Sequence, residues 1–226
     1  MTRSVIVTGG FGVLGQAVAQ AFAAQGDTVA RIDFAGQAQR PLDGVLDIGG
    51  VDLTEATQTA DALAKVVAAH GGVDILVNVA GGFIWETLEG GSLASFSRMH
   101  AINLLTAATI TQLALPALKR SVAGRIVNIG AGGAVKGAMG MAPYAAAKSG
   151  VHRLTEALAE ELAGTSVTVN AVLPSIIDTP TNRADMPDAD TSTWVSPAAI
   201  AKVIVLLAAS DAGAISGALI PVTRPN

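Results

Sequence analysis

Two side chains in this sequence are suited by type and spacing to proton transfer: Tyr144 and Lys148, in the segment Tyr144-Ala-Ala-Ala-Lys148. In a helix, residues i and i+4 lie one turn apart on the same face. A tyrosine phenol has an unperturbed pKa near ~10, and a neighbouring ammonium lowers that value. Since Tyr144 is the only tyrosine in the chain, the pair is predicted to be an acid–base unit. By itself the pattern is more typical of a solvated helix face, so its meaning depends on what accompanies it.

A glycine-rich segment near the start of the chain accompanies it. Gly10, Gly12 and Gly15 form the pattern G-x-G-x-x-G directly after a β-branched run. Glycines let the backbone approach a pyrophosphate, whose charge is met by free N–H groups and by the positive end of the following helix. The segment therefore predicts a dinucleotide-binding loop, with these members: Gly9, Gly10, Gly12, Val13, Leu14 and Gly15.

Asp33 ends the next predicted strand and indicates which dinucleotide is bound. At that place a carboxylate can accept hydrogen bonds from both ribose hydroxyls of the adenosine, and its charge would repel a 2′-phosphate. We therefore expect NAD(H) to be favoured, with NADP(H) as the alternative. Such a cofactor makes the acid–base interpretation of Tyr144 and Lys148 the better one.

The elements that must position these residues alternate between short β-branched runs and longer apolar-periodic segments. This order predicts an α/β fold, a single doubly wound Rossmann-type domain over residues 1–226 with a parallel sheet of about seven strands. The predicted strands are Ser4–Thr8, Thr28–Asp33, Val45–Val51, Asp74–Val79, Arg125–Ile129, Val167–Leu173 and Ala218–Val222. The predicted helices are Gly15–Gln25, Thr54–His70, Ser92–Lys119, Pro143–Ala163 and Pro197–Ala209. The irregular stretch over residues 175–196 is expected to be a substrate-side loop.

Composition narrows the classes of partner. The net charge of −4 offers no excess of cations for nucleic acid, and no cysteine is present for disulfides or thiolate metal sites. Half of the residues are apolar, yet no run approaches the ~18 apolar residues of a membrane span. We expect a cytoplasmic protein with a small-molecule substrate, no metal, and no nucleic-acid or membrane partner.

Five motifs together resemble the short-chain dehydrogenase/reductase superfamily, and the likeness covers essentially the whole chain. They are Thr8-Gly9 with the following glycines, Asn78-Val-Ala-Gly81, Asn103, Tyr144-Ala-Ala-Ala-Lys148 and Asn170-Ala-Val-Leu-Pro174. Two longer segments are similar to the dihydropteridine reductase branch. These are Ala80-Gly-Gly82 with the aromatic residues after it, and Ala171–Pro180 continued by Asn182-Arg183, Met186-Pro187, Ala189-Asp190 and Trp194.

The resemblance implies a role for each matching position. Tyr144 would be the proton donor, Lys148 would hold the nicotinamide ribose and lower the Tyr144 pKa, and Asn103 would position a relay water. Other positions would contact the cofactor: Asp52 and Leu53 at the adenine, Ala80 and Gly81 at the adenosine-side ribose, and Pro174, Ile177 and Thr179 at the nicotinamide. Asn103 could instead satisfy open backbone groups, and Asp52 could be a turn residue.

Two positions depart from the superfamily pattern. Val13 stands where a glycine is usual, which should leave cofactor binding intact. Ala131 stands at the place of the usual catalytic serine, and losing that hydroxyl should weaken stabilisation of a substrate oxyanion. Against the dihydropteridine reductase branch, the chain stops at Pro225-Asn226 without the extended substrate-closing tail expected there. Dihydropteridine reductases resemble this chain in lacking the serine.

Three functions are compatible with this pattern. The first is NAD(P)H-dependent hydride transfer to a small conjugated substrate such as quinonoid dihydropteridine, bound near Ala131 and stacked on Phe83, Trp85 and Trp194. The second is a carbonyl or 3-oxoacyl reductase with another donor in place of the serine. The third is a non-catalytic dinucleotide sensor, against which the intact Tyr144–Lys148 pair argues. The long apolar helices Ser92–Lys119 and Pro143–Ala163 are expected to pair into a homodimer or homotetramer.

Overall fold

Seven parallel strands form one sheet in the computed structural model, which describes residues 2–225. The spatial order is β3-β2-β1-β4-β5-β6-β7. The first three strands extend toward one edge of the sheet and the last four toward the other, so the strand order reverses between β1 and β4. The strands are β1 (Ser4–Thr8), β2 (Thr28–Ile32), β3 (Leu46–Ile48), β4 (Ile75–Asn78), β5 (Arg125–Ile129), β6 (Thr168–Pro174) and β7 (Leu219–Val222). Ligands of such sheets bind outside the carboxyl ends of the strands, at the point of reversal.

Helices cover both faces of this sheet, which confirms the predicted doubly wound Rossmann-type domain. Alternate residues of β1 divide between two cores. Val5 and Val7 pack with the helices Val13–Ala23 and Pro197–Leu207. Ile6 packs on the other face with the helices Ala56–His70, Thr106–Leu118 and Ala142–Glu161. The helices are α1 (Val13–Ala23), α2 (Ala56–His70), α3 (Leu93–His100), α4 (Thr106–Leu118), α5 (Ala142–Glu161), α6 (Pro180–Asp185) and α7 (Pro197–Leu207).

Two segments differ from the sequence-based expectation. The predicted helix Ser92–Lys119 is divided, because a π-helical turn over Ala101–Leu105 separates α3 from α4. The predicted loop 175–196 contains α6, which starts where the Thr179 side chain accepts from the backbone N–H of Asn182. It also contains a parallel bridge between Ile177 and Val195.

The helical stretch Leu93–Leu118 is long and apolar enough to meet a hydropathy criterion for a membrane span. Half of its most apolar 18-residue window is buried inside the fold, against the sheet and the neighbouring helices. A core helix of this length meets the same criterion, so the feature does not assign the protein to a membrane.

Candidate active site

Helix α5 carries the predicted acid–base pair to the carboxyl end of the sheet. Pro143 lies in its first turn and pre-sets the helical backbone, and Tyr144 and Lys148 follow on successive turns. Lys148 is buried, and its Nζ donates to the carbonyl oxygen of Ile129 at 2.7 Å. This bond leaves Nζ–H donors for a ligand. Tyr144 is partly buried, and its ring makes a T-shaped contact with the Phe83 ring, with 4.9 Å between the two centroids.

Burial determines the ionisation of both groups. It raises the pKa of Tyr144 to about 12 and lowers the pKa of Lys148 to about 8, because each charged form loses hydration. The expectation that Lys148 lowers the Tyr144 pKa is therefore wrong for the free protein, in which desolvation dominates. Tyr144 is protonated at neutral pH and is suited to donate a proton rather than to accept one.

Asn103 lies in the π-helical turn and is buried. Its Oδ1 accepts from the backbone N–H of Gly82, and its Nδ2 donates to the carbonyl oxygens of Gly82 and Met99. The amide thus holds the segment that follows β4, which was the alternative role considered for this residue. π-bulges often lie at functional sites, and this one turns Asn103 toward Gly81. The relay water stays a prediction.

The glycine loop joins β1 to α1 and has the features of an anion site. A Cβ on Gly15 would overlap the carbonyl oxygen of Gly9, so only glycine fits at this crossing of loop and helix. Helix α1 starts after Gly12 with no side-chain cap and no acidic residue in its first turn. Its free N–H groups can therefore bind a pyrophosphate. Thr8 precedes the loop and ties it to the segment after β4, since its Oγ1 accepts from the N–H groups of Val79 and Ala80.

Asp33 lies directly after β2, beside the glycine loop, as predicted. Its carboxylate accepts from the backbone N–H of Phe11 at 2.9 Å and of Ala35 at 3.0 Å. Each oxygen keeps a lone pair for a ribose hydroxyl. Asp52 instead accepts from the N–H and hydroxyl of Thr54, which is a local turn, and it lies next to the buried Leu53.

The remaining predicted positions divide into open and buried ones. Phe83 and Trp85 are more than half exposed, and Ile177 and Thr179 are partly exposed. Ala131, Pro174 and Trp194 are buried. Trp194 is only 4% exposed, so the proposed stacking of a substrate on its ring is wrong for this conformation. Trp85 lies over Gly140, where a Cβ would overlap its indole ring.

Sequence reasoning missed two residues that shape this site. Arg31 is fully buried, forms an ion pair with Asp47 at 2.7 Å, and places its guanidinium 5.2 Å from the centre of the Phe11 ring. Through its contact with Phe11, Arg31 supports the glycine loop. His152 accepts from the N–H of Ala131 at 3.2 Å. Its position four residues after Lys148 was the available signal, because that spacing continues the face that bears Tyr144 and Lys148.

These residues fit a nicotinamide dinucleotide. The space above Gly81 is narrow, since a Cβ there would lie 2.5 Å from the Asn103 Oδ1 and 3.5 Å from the Lys148 Nζ. The loop would hold the pyrophosphate, Asp33 the adenosine ribose, and Lys148 the nicotinamide ribose. When bound, the cofactor supplies the hydrogen and electron pair of a redox reaction, and Tyr144 supplies the proton. The fold and site thus define a dinucleotide-dependent oxidoreductase.

Comparisons with known proteins agree. The model of the short chain dehydrogenase family matches residues 3–190, so this chain belongs to that family. It is 34% identical over 230 residues to the 3-oxoacyl-(acyl-carrier-protein) reductase MabA of Mycobacterium tuberculosis, covering 98% of this chain and 92% of MabA. It is 33% identical to the acetoacetyl-CoA reductase of Rhizobium meliloti, covering 97% and 96% of the two chains.

A solved structure matches over nearly the whole chain as well. The ligand-free aldohexose dehydrogenase of Thermoplasma acidophilum superimposes with a TM-score of 0.89 at 25% identity, covering 98% of this chain and 92% of that chain. The predicted fold, family and enzyme class are confirmed. The comparisons do not single out a dihydropteridine reductase branch, and the relatives named above favour the carbonyl-reductase alternative.

Proposed function

We propose that this protein is an NAD(P)H-dependent reductase of a small carbonyl substrate of the 3-oxoacyl thioester type. One observation carries the proposal: a protonated Tyr144 beside a buried Lys148, in a chain one-third identical over its whole length to a 3-oxoacyl reductase and an acetoacetyl-CoA reductase. The reaction would convert the 3-oxo group to a 3-hydroxy group.

The residues divide the work as follows. A bound reduced nicotinamide would supply hydride for the carbonyl carbon, and Tyr144 would give its phenolic proton to the carbonyl oxygen, so that an alcohol would form. Lys148 binds the nicotinamide ribose and provides positive charge next to the phenolate that Tyr144 becomes. Asn103 keeps Gly82, and with it the segment after β4, in place.

A second candidate substrate is quinonoid dihydropteridine, and the absent hydroxyl at Ala131 favours it. A localised ketone oxyanion gains from a serine donor, whereas a conjugated ring spreads the developing charge. Phe83, which is 55% exposed and contacts the Tyr144 ring, offers an aromatic surface for such a ring. If the substrate is a 3-oxoacyl thioester, Tyr144 is the principal donor to its carbonyl oxygen, and alanine at position 131 gives a lower rate than a serine would.

For the cofactor, we propose a preference for NADH. The half-buried Asp33 carboxylate beside Phe11 supports it, because a 2′-phosphate brought next to this charge would be repelled. Assembly as a homodimer or homotetramer and a cytoplasmic location are further proposals that rest on sequence alone.

Steady-state assays of the purified protein test the substrate. We expect reduction of acetoacetyl-CoA with NADH at a kcat/KM well above that for quinonoid dihydropterin, and a further gain with Ala131→Ser. That gain should stay below the ~10²–10³-fold that an enzyme loses when a native oxyanion donor is removed, because a newly introduced hydroxyl is less well placed. Faster reduction of the pterin, with no gain from Ala131→Ser, would replace the first candidate by the second.

A further inference from the structure

His152 is a buried titratable residue on the catalytic helix that the proposed reaction does not use. It is 3% exposed, although histidine carries a strongly hydrated charge when protonated. Its Nε2 lies 3.2 Å from the backbone nitrogen of Ala131. An N–H group can only donate, so Nε2 must accept, which places the ring proton on Nδ1 in the neutral tautomer.

The contact lies close to the acid–base pair. Lys148 donates to the carbonyl oxygen of Ile129, and His152, one turn further along α5, accepts from the N–H of Ala131. Both backbone partners belong to the three residues that leave β5. Two hydrogen bonds of opposite direction therefore fasten the end of β5 to the helix that bears Tyr144.

Gly130 lies between Ile129 and Ala131, and its lack of a side chain leaves room for the imidazole ring of His152. A Cβ on Gly130 would lie 2.6 Å from Nε2 of His152 and 3.1 Å from a methyl carbon of Leu173. No positive φ requires glycine at this position. The reason for glycine at position 130 is therefore steric, because the His152 ring occupies the volume that any side chain there would need.

We propose that neutral His152 is a positioning residue of this oxidoreductase: it holds the segment Ile129–Ala131 against α5 and so fixes the carbonyl oxygen that orients Lys148. Protonation puts a hydrogen on Nε2, facing the Ala131 N–H, and replaces an attractive contact by a repulsive one. The segment then moves away, Lys148 loses its oriented acceptor, and the ammonium no longer lies correctly for the ribose and for Tyr144.

The charges around His152 support this direction. The residues that contact the ring from the segment after β5 and from β6 are not titratable; they are Gly130, Ala131 and Leu173. The acting charges lie on α5. Burial lowers the pKa of His152 below 6.5, Arg153 and Lys148 lower it further, and Glu156 raises it. His152 is therefore mainly neutral at neutral pH, and it becomes protonated only in more acidic solution than an ordinary histidine.

Two substitutions separate the hydrogen bond from the titration. His152→Gln can place its Oε1 where Nε2 lies and accept from Ala131, but it does not titrate. His152→Leu removes the acceptor. With NADH and acetoacetyl-CoA at pH 7.5, we expect His152→Leu to lower kcat roughly tenfold, within the ~10²-fold that a 1 Å misplacement can cost. We expect His152→Gln to recover most of the kcat that His152→Leu loses. In the wild type, kcat should fall at acidic pH as His152 is protonated, and this acidic limb of the pH profile should be absent in His152→Gln.

A matched control uses another histidine far from the site. His70 ends α2, contacts the hydroxyl of Ser4, and also has its pKa lowered by burial. His70→Gln should leave the acidic limb unchanged. A fall in kcat with His152→Gln as large as with His152→Leu, or an acidic limb that persists in His152→Gln, would overturn the proposal.

Two measurements do not depend on the substrate or on activity. In the wild type, ¹⁵N NMR of the histidine rings should show His152 as the Nδ1–H tautomer, assigned by its loss in His152→Gln. Hydrogen exchange at the Ala131 amide should be protected in the wild type and in His152→Gln, and at least tenfold faster in His152→Leu. An Nε2–H tautomer at pH 7.5, or equal exchange in all three proteins, would refute the role of His152 even if the proposed substrate proved wrong.

Discussion

At the scale of single residues, the site rests on two groups whose ionisation burial shifts in opposite senses. Tyr144 is held in its protonated form, while the Lys148 ammonium is made easier to deprotonate. A protonated phenol next to a buried cation, which can stabilise the phenolate left after proton donation, suits a reduction. Three predictions test the residues singly.

Tyr144→Phe removes the proton donor and keeps the ring. Its contact with Phe83 involves the ring alone, so the fold and NADH binding should change little. Turnover should fall by roughly 10² or more, the usual scale for a general acid. Steady-state kinetics together with NADH fluorescence titration would show this, and unchanged turnover would mean that the proton comes from solvent.

Lys148 should leave a signature in the stability of the free protein. Burial lowers its pKa from the ordinary 10.5 to about 8 in the folded protein, so between these pH values the unfolded chain binds more protons. The free energy of unfolding should therefore rise with pH from about 8 to 10.5. Urea titrations should show this rise in the wild type and in the exposed-site control Lys202→Met, but not in Lys148→Met. Activity should fall over the same range, as the ammonium loses its charge.

Asp33 should set the choice between the two cofactors. Its charge and its hydrogen bonds to ribose favour NADH over NADPH by on the order of 1–3 kcal/mol. Asp33→Asn keeps an acceptor for the Phe11 N–H but removes the charge, so it should narrow the gap without unfolding the loop. Equal Kd values for the two cofactors in the wild type would show that the carboxylate does not face the ribose.

At the scale of elements, the glycine loop depends on contacts between backbone groups. Gly15→Ala would drive a methyl group into the carbonyl oxygen of Gly9, so the start of α1 must shift. We expect NADH affinity to fall more than tenfold and Tm to drop by several degrees. The control Gly72→Ala, where a Cβ meets nothing within 4 Å, should leave both unchanged in calorimetry and fluorescence titration.

Most elements could be predicted because their patterns are local. The runs that form β1 and β5 are buried on both faces, and their bounds agree with the prediction to the residue. The π-helical turn at Ala101–Leu105 could not be found in this way, since apolar periodicity does not register one extra residue per turn. Helix α6 did have a signal, the cap Thr179 followed by Pro180, but its polar surroundings concealed it.

The sequence indicated which residues to consider for the site, but less of their chemistry. Residue types and spacing singled out the glycine loop, Asp33 and the Tyr144–Lys148 pair, and the fold brings these candidates to one edge of the sheet. The direction of the Tyr144 pKa was wrong because desolvation depends on what covers the ring, which spacing does not reveal. His152 and Arg31 escaped notice because their partners are backbone atoms or strand neighbours far away in sequence.

At the scale of the whole molecule, the sheet collects groups from distant parts of the chain. The glycine loop follows β1, Asp33 follows β2, and Gly81 and Ala131 follow β4 and β5. Parallel strands end at the same edge, so one cleft receives all of them. Helix α5 crosses this edge and brings Tyr144, which is why the orientation of that helix affects both cofactor and substrate.

The outer surface of the same helix leads to the last prediction. Ala146 and Ala157 are exposed on α5, and Leu105 is 39% exposed just before α4, so small and apolar side chains face solvent there. Such surfaces favour close pairing of helices, and we expect a homodimer or homotetramer. Ala157→Arg would bury a charge at this interface and should yield monomers by light scattering at micromolar concentration. The control Val122→Arg, at a site 90% exposed beyond α4, should not. Activity should fall with dissociation, since the partner would steady the helix that carries Tyr144. A wild-type monomer, or an Ala157→Arg protein of unchanged mass, would show that these helices do not form the interface.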